Sequence, residues 1–197
     1  VLTTLVPTGV VFGDLSRWLG VSNEATNGIL QSAKDKYNLA KIVSGRELAL
    51  TFNAFSGNLK KLVYNIDADD RLIVEENPNQ AWEAKVEPIP YEIRQEEASG
   101  VVTTSLYQAM LENGYDERLV LALAEMFAWQ VDFVADTREG DSFKAIYESR
   151  YLDGDYIMPG KIFAARYTND GEAFYGYWFL SEATRAGYYD RDGNSLQ

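Results

Sequence analysis

Between Glu117 and Phe143 the hydrophobic period of the chain changes, and that change limits what the chain can fold into. From Glu117 to about Val131 it is apolar almost all round. Leu119, Leu123, Met126 and Phe127 recur at helical spacing, and Val120, Ala124 and Trp129 fill the flanks. Only Glu125 and Gln130 interrupt the pattern, which predicts a helix over 117–131 buried on more than one side. Asp116 stands where an N-cap belongs, after the turn Asn113-Gly114, and Glu117 suits the positive helix end. Arg138-Glu139-Gly140-Asp141 is turn chemistry, and beyond it the period is 2. Three alternating runs follow, Ser142–Leu152, Lys161–Thr168 and Ala173–Leu180. Asp153-Gly154 and Asn169-Asp170-Gly171 join them as hairpin signals. A shorter helix begins at Ser105, and a strand runs from Tyr91 to Ala98. Helices first and a meander after them predict an α+β domain with its helices on one face of an antiparallel sheet. The tyrosines on these strands, with Trp178, fit core and cross-strand packing first and sugar binding second.

The first half reads differently. Phe12, Leu15, Trp18 and Leu19 share one helical face, and Gly20 ends that helix. Ser22 or Asn23 caps a second helix, with Ala25, Ile29, Leu30 and Ala33 as its stripe. A turn through Ser44-Gly45 leads into a strand over 47–53, and strands at about 59–66, 71–76 and 81–87 follow. The acids of Asp67-Ala68-Asp69-Asp70 suit a hairpin turn without any metal. Pro88 and Pro90 mark the boundary between a domain over 1–88 and another over 89–197.

Composition excludes several chemistries. The 197 residues contain no cysteine and no histidine, which removes disulfides, thiolate nucleophiles, Ser-His-Asp triads and histidine-based zinc sites from this chain. The net charge of −12 is lopsided: residues 1–87 hold 11 acids and 9 bases, residues 88–197 hold 19 and 9. Nucleic acid is therefore a poor partner for the second half. No run approaches the roughly 20 apolar residues of a membrane span. The chain opens on Val1 and not methionine, as a processed product does. With 30 acids, some pair always falls at glycosidase spacing, so an acid-base hydrolase ranks last among the functions considered.

Two sets of residues carry a resemblance. Gly9-x-x-Phe12-x-x-Leu15-x-x-x-Leu19-Gly20-Val21-Ser22, then Ile42-x-x-Gly45-x-x-Leu48-x-Leu50, resembles a LysM-type module. It departs from the usual Gly-Asp-Thr-Leu opening at Gly9-Val10-Val11-Phe12, and it adds the hairpin Leu59–Leu72. Later come Phe127-Ala128-Trp129-x-Val131-Asp132-Phe133, Arg138-x-Gly140-Asp141-x-Phe143 and Gly187-Tyr188-Tyr189-Asp190-x-Asp192-Gly193-x-Ser195-Leu196. In that order, they resemble the N-terminal region of the lysostaphin/LytM-type zinc metalloendopeptidases of Gram-negative envelopes, without the catalytic domain. The resemblance implies a LysM/OapA-like helix-plus-hairpin domain followed by a cystatin-like helix-on-sheet domain. It implies that the chain stops at Gln197, at the junction to a catalytic domain that holds the zinc, with no cofactor in the chain itself. The implied partners are that catalytic domain and peptidoglycan, in the periplasm or cell envelope, with room for a membrane anchor upstream of residue 1.

The function implied is a non-catalytic, regulatory and substrate-positioning region that occludes the catalytic cleft. The alternative is a stand-alone glycan-binding envelope module. Candidates for glycan contact or for the occluding loops are Gly20, Val21, Ser22, Glu24, Ser44 and Glu47. Glu125 and Asp132 are carboxylates set in apolar sequence, expected to be buried and hydrogen-bonded to backbone amides or Arg138.

Overall fold

Strand pairing in the first half brings together segments more than forty residues apart. In the computed structural model, which describes residues 1–180 and 186–196, strand β1 (Leu2–Leu5) pairs antiparallel with β2 (Glu47–Phe52). Helices α1 (Phe12–Trp18) and α2 (Asn23–Ala33) and a 3-10 turn, Leu39–Lys41, lie between them in sequence. Strands β3 (Leu59–Asn65), β4 (Asp70–Glu76) and β5 (Trp82–Pro88) extend the sheet in the order β1-β2-β3-β4-β5. The β3–β4 turn is capped by Asp67, whose Oδ1 accepts hydrogen bonds from Asp69 N and Asp70 N, both 2.8 Å.

The helices close one face of this sheet. Phe12, Leu15, Ile29 and Ala33 pack with Leu48, Leu50, Leu62, Tyr64, Leu72 and Val74. Two parts of the expected stripes fall outside that core. Trp18 is 67 % exposed, because the seven-residue helix buries Phe12, Leu15 and Ser16, and Trp18 falls past the edge of that face. Leu30 sits at the solvent edge of α2, one position round from the buried Ile29. Ser22 is the N-cap of α2, its Oγ accepting from Ala25 N at 3.1 Å.

The chain divides into two compact units, Val1–Pro90 and Tyr91–Gln197. Gln197, where the resemblance puts the junction, lies outside the described residues.

The second unit runs β6 (Glu92–Val101), α3 (Leu106–Glu112), α4 (Glu117–Met126), β7 (Ser142–Leu152), β8 (Asp155–Asn169), β9 (Glu172–Phe179) and β10 (Gly187–Tyr189). Its sheet is an antiparallel meander, β10-β9-β8-β7-β6. Both hairpins close with two residues of positive φ, Asp153-Gly154 and Asp170-Gly171, as the twist of paired strands demands. Leu106, Met110, Leu119, Leu123 and Phe127 pack onto Ala98, Phe143, Ala145, Ile162 and Tyr167. The fold is α+β.

The helix over 117–131 is a correction. Helix α4 ends at Met126; it packs against both the sheet and α3, leaving Leu121 outside and Trp129 84 % exposed. Backbone bonds from Gln130 N and Val131 N to Phe127 O then turn the chain back, so Val131 still reaches the core.

Candidate functional site

Three turns of the first unit converge at one end of its sheet. Gly20 and Ser22 come from the α1–α2 turn and Glu24 from the first turn of α2, Gly57 and Asn58 from the β2–β3 turn, and Gln80 from the β4–β5 hairpin. With Lys60, Glu76 and Trp82 on the strands, they line a groove of about 420 Å³. Local chemistry sets each turn. Gly20 has φ +79°, which an L side chain resists, and Ser22 is held by its cap bond. Asn77 Oδ1 accepts from Asn79 N at 2.9 Å and Ala81 N at 3.0 Å, which lets Gln80 take φ +62° at the hairpin tip.

The floor is fixed by packing and by charge. Lys60 and Glu76 form an ion pair across β3 and β4, and only 17 % of the Glu76 side chain is exposed. Trp82 lies opposite Glu76 in the β4–β5 ladder and rests on α2 at Gly28, where a β-carbon would meet the ring. The groove thus offers an indole, two amides and a free carboxylate at Glu24 beside a paired Lys-Glu couple. That chemistry suits a hydroxyl- and amide-rich ligand or a peptide loop, and it contains no nucleophile paired with a base.

The six candidate residues do not form one site. Gly20, Ser22 and Glu24 line the groove, and Val21 between them points into the core, 6 % exposed. Ser44 and Glu47 sit at the other end of β2. Glu47 pairs with Leu5, whereas Phe52, at the groove end, pairs with Leu59. There the Ser44 and Thr8 hydroxyls are 3.0 Å apart, and Gly45 N donates to Val6 O. Tyr64, fully buried, holds this loop by accepting from Val43 N at 2.9 Å.

In the second unit the expected buried carboxylates are exposed. Glu125 is on the outer face of α4, and Asp132 caps the turn after it, Oδ1 accepting from Val134 N at 2.9 Å and Ala135 N at 3.1 Å. The backbone-amide role expected for Asp132 therefore exists, at the surface, because the helix has already ended. Among the described residues of this unit the buried carboxylate is Asp141, 3 % exposed. Its Oδ2 accepts from Arg138 N (2.8 Å), Asn169 Nδ2 (2.8 Å) and Tyr167 OH (3.1 Å), and its Oδ1 from Asp170 N (2.9 Å). Burial alone raises such a carboxyl, but these four donors outweigh it and hold Asp141 below the ordinary range. It ties the β7 entry to the β8–β9 hairpin. The signal for it in the sequence was Gly140-Asp141 ahead of one strand and Asn169-Asp170 at the end of another, two turns needing a common acceptor.

A second carboxylate sits among tyrosines. Glu96 accepts from Tyr151 OH at 2.9 Å and Tyr147 OH at 3.2 Å. Desolvation raises it, and its hydroxyl donors, Tyr147 and Tyr151 among them, outweigh that and lower it overall. Among the described residues no group of three or more acidic, histidine or cysteine side chains is placed to hold a metal ion. The donors among the described residues do not fit zinc.

Comparison with known proteins supplies a context. No family model matches the chain. It is 27 % identical over 180 residues to the peptidoglycan DD-endopeptidase ShyC of Vibrio cholerae, an alignment that takes in 90 % of this chain and 40 % of ShyC. The chain thus spans well under half the length of this curated relative. Among solved structures, a zinc-containing peptidase from Vibrio cholerae matches with a TM-score of 0.72 at 23 % identity, over 100 % of this chain and 59 % of that one. Csd3 of Helicobacter pylori matches with a TM-score of 0.75 at 16 % identity, over 96 % and 50 %. The fold is shared with these two solved structures, and the resemblance read from the sequence motifs is to the same kind of protein as ShyC and the zinc-containing peptidase.

Proposed function

We propose that this chain is the non-catalytic regulatory and substrate-positioning region of a peptidoglycan zinc endopeptidase of the cell envelope. The observation that carries the reading is the alignment with ShyC, which takes in nearly the whole of a chain that has no histidine or cysteine to bind zinc. The zinc, and with it the hydrolysis, belongs to a further domain of the parent protein. The partners are that domain and peptidoglycan, and the compartment is the periplasm. No helix among the described residues is long and apolar enough to cross a membrane.

In this reading the first unit is the occluding element. Its groove end presents Glu24, in the first turn of α2, and the opposite end presents Glu47, the first residue of β2 beside the Ser44-Gly45 turn, both exposed carboxylates. A loop of this kind silences a zinc hydrolase by filling the substrate cleft or by placing a carboxylate on the metal. Tethering makes either contact cheap, since a linked domain sits at an effective concentration on the order of millimolar. Opening then needs only a few kcal/mol of differential affinity for the murein substrate or an activating partner.

The parent reading frame tests this first. It should encode H-x-x-x-D and H-x-H motifs beyond Gln197, and the parent should cleave purified sacculi more slowly than its isolated zinc domain. A frame with no such motifs leaves a glycan-binding module and removes the endopeptidase.

A further inference from the structure

The helices of the second unit cover one face of its sheet, and the other face is not simply polar. Tyr175 and Tyr177 alternate outward on β9, their rings nearly parallel at 8° with centroids 6.5 Å apart. Beside them the sheet dips into a shallow apolar trough of about 220 Å³, floored by Ala164 and Ile146 and edged by Lys144 and Arg166. Strand register builds the arrangement: Lys144, Arg166 and Tyr175 lie in one cross-strand row, and Ile146, Ala164 and Tyr177 in the next. The guanidinium of Arg191 stacks on Tyr175, 3.3 Å from its centroid, which fixes the plane of that ring.

The charge of this face runs against its surroundings. Residues 88–197 carry 19 acids against 9 bases, yet three of those bases, Lys144, Arg166 and Arg191, border the trough. Lys144 is paired with Glu97 at 3.1 Å. Among the described residues neither Arg166 nor Arg191 has a carboxylate within ion-pair distance. Parallel tyrosine rings offer flat apolar area at little entropic cost, and pyranose rings present flat C–H faces of matching size. Guanidinium groups beside such a platform recognise carboxylates.

We infer that this outer sheet face, with Tyr175 and Tyr177 as the platform and Arg166 and Arg191 as the anion contacts, binds a carboxylate-bearing glycan strand. Identifying that strand as murein rests on the function proposed above. The alternating Tyr175-x-Tyr177-x-Phe179 pattern, with Tyr189 opposite Tyr177 on β10, continues the platform toward the sheet edge. A strand lying across the β-strands would meet the aromatic edge and the basic trough together.

The experiment titrates the 197-residue chain with soluble, uncrosslinked murein glycan strands and with neutral chitin oligosaccharides of equal length. It uses wild type, the double variant Tyr175→Ala/Tyr177→Ala and Arg166→Glu. Arg166 is exposed, so its variant keeps the core intact whatever the tyrosine pair does. The expected result is binding of murein strands by wild type that falls at least tenfold in each variant and weakens with salt, with chitin bound at least tenfold more weakly. If wild type binds murein strands and either variant binds as tightly, this face is not the glycan surface, and the positioning role proposed above stands without it. Equal affinity for chitin overturns the anion contacts. If wild type binds no murein strand up to millimolar concentration, the glycan surface and the substrate-positioning role fall together, and an occluding role is judged separately on the cleavage assay.

Discussion

The indole of Trp82 lies so close over Gly28 that no β-carbon fits between them. One built on Gly28 would come within 2.9 Å of the ring Nε1, and closer still to Cδ1. Glycine inside a helix normally costs about 1 kcal/mol relative to alanine, so its presence in α2 reflects this approach. Gly28→Ala should push Trp82 off its seat and reshape the groove. We expect a net loss of about 1–2 kcal/mol in the first unit, read by denaturant unfolding, with a shifted Trp82 emission in a variant lacking the other tryptophans.

Asp141 should be the most sensitive carboxylate in the second unit. Asp141→Asn keeps the shape but turns a charged acceptor of four hydrogen bonds into a group that must donate as well. The expected cost is about 2–4 kcal/mol. Because the folded carboxyl lies below its unfolded value, its stabilisation is complete above the unfolded pKa, about 3.9, and is lost as pH falls through the lower folded value. Acid unfolding followed through the second unit should therefore move to higher pH in the variant only to the extent that overall stability has fallen. The pH-dependent slope assigned to Asp141 should vanish.

Tyr64→Phe removes the acceptor of the Val43 amide and leaves it without a partner beside the core. About 1–2 kcal/mol should be lost. Hydrogen exchange at Val43 and its neighbours up to Gly45 should speed up while β3 and β4 stay protected. Uniform deprotection of the whole unit would assign Tyr64 a global packing role in place of a loop anchor.

Helix α4 gives a paired contrast. Trp129→Ala should change stability by no more than about 0.5 kcal/mol, as expected for an exposed side chain. Leu123→Ala, fully buried, should cost about 2–4 kcal/mol. A large loss from Trp129→Ala would restore the all-round burial that its sequence suggests.

That contrast shows what sequence patterning could and could not supply. The meander of the second unit was legible because alternation and two Asx-Gly turns are local signals, and both hairpins close where those residues stand. Strand β1 was not legible: four residues, Leu2–Leu5, become a strand only by pairing with β2 across the two helices. The apolar pattern runs past the end of α4 because the residues after Met126 serve a turn and a surface, not a further helical turn. At the candidate site, the cap at Ser22 and the turn at Gly20 were readable, and Glu24 followed from them. Trp82, Glu76 and Gln80 come from a hairpin more than fifty residues away, and no local pattern ties them to that turn. Asp141 reads in sequence as a plain turn residue, while Glu125 and Asp132, the more conspicuous carboxylates, face solvent.

The central claim, that this chain restrains a zinc endopeptidase domain, is tested most directly by the rate at which that isolated domain releases fragments from purified sacculi as the 197-residue chain is added in trans. Tethered contacts of modest strength become visible at high micromolar to millimolar concentration. The account predicts a saturable fall in rate, relieved by charge reversal at Glu24 or Glu47. An unchanged rate across that range, together with equal activity of the full-length parent and its isolated catalytic domain, would contradict it.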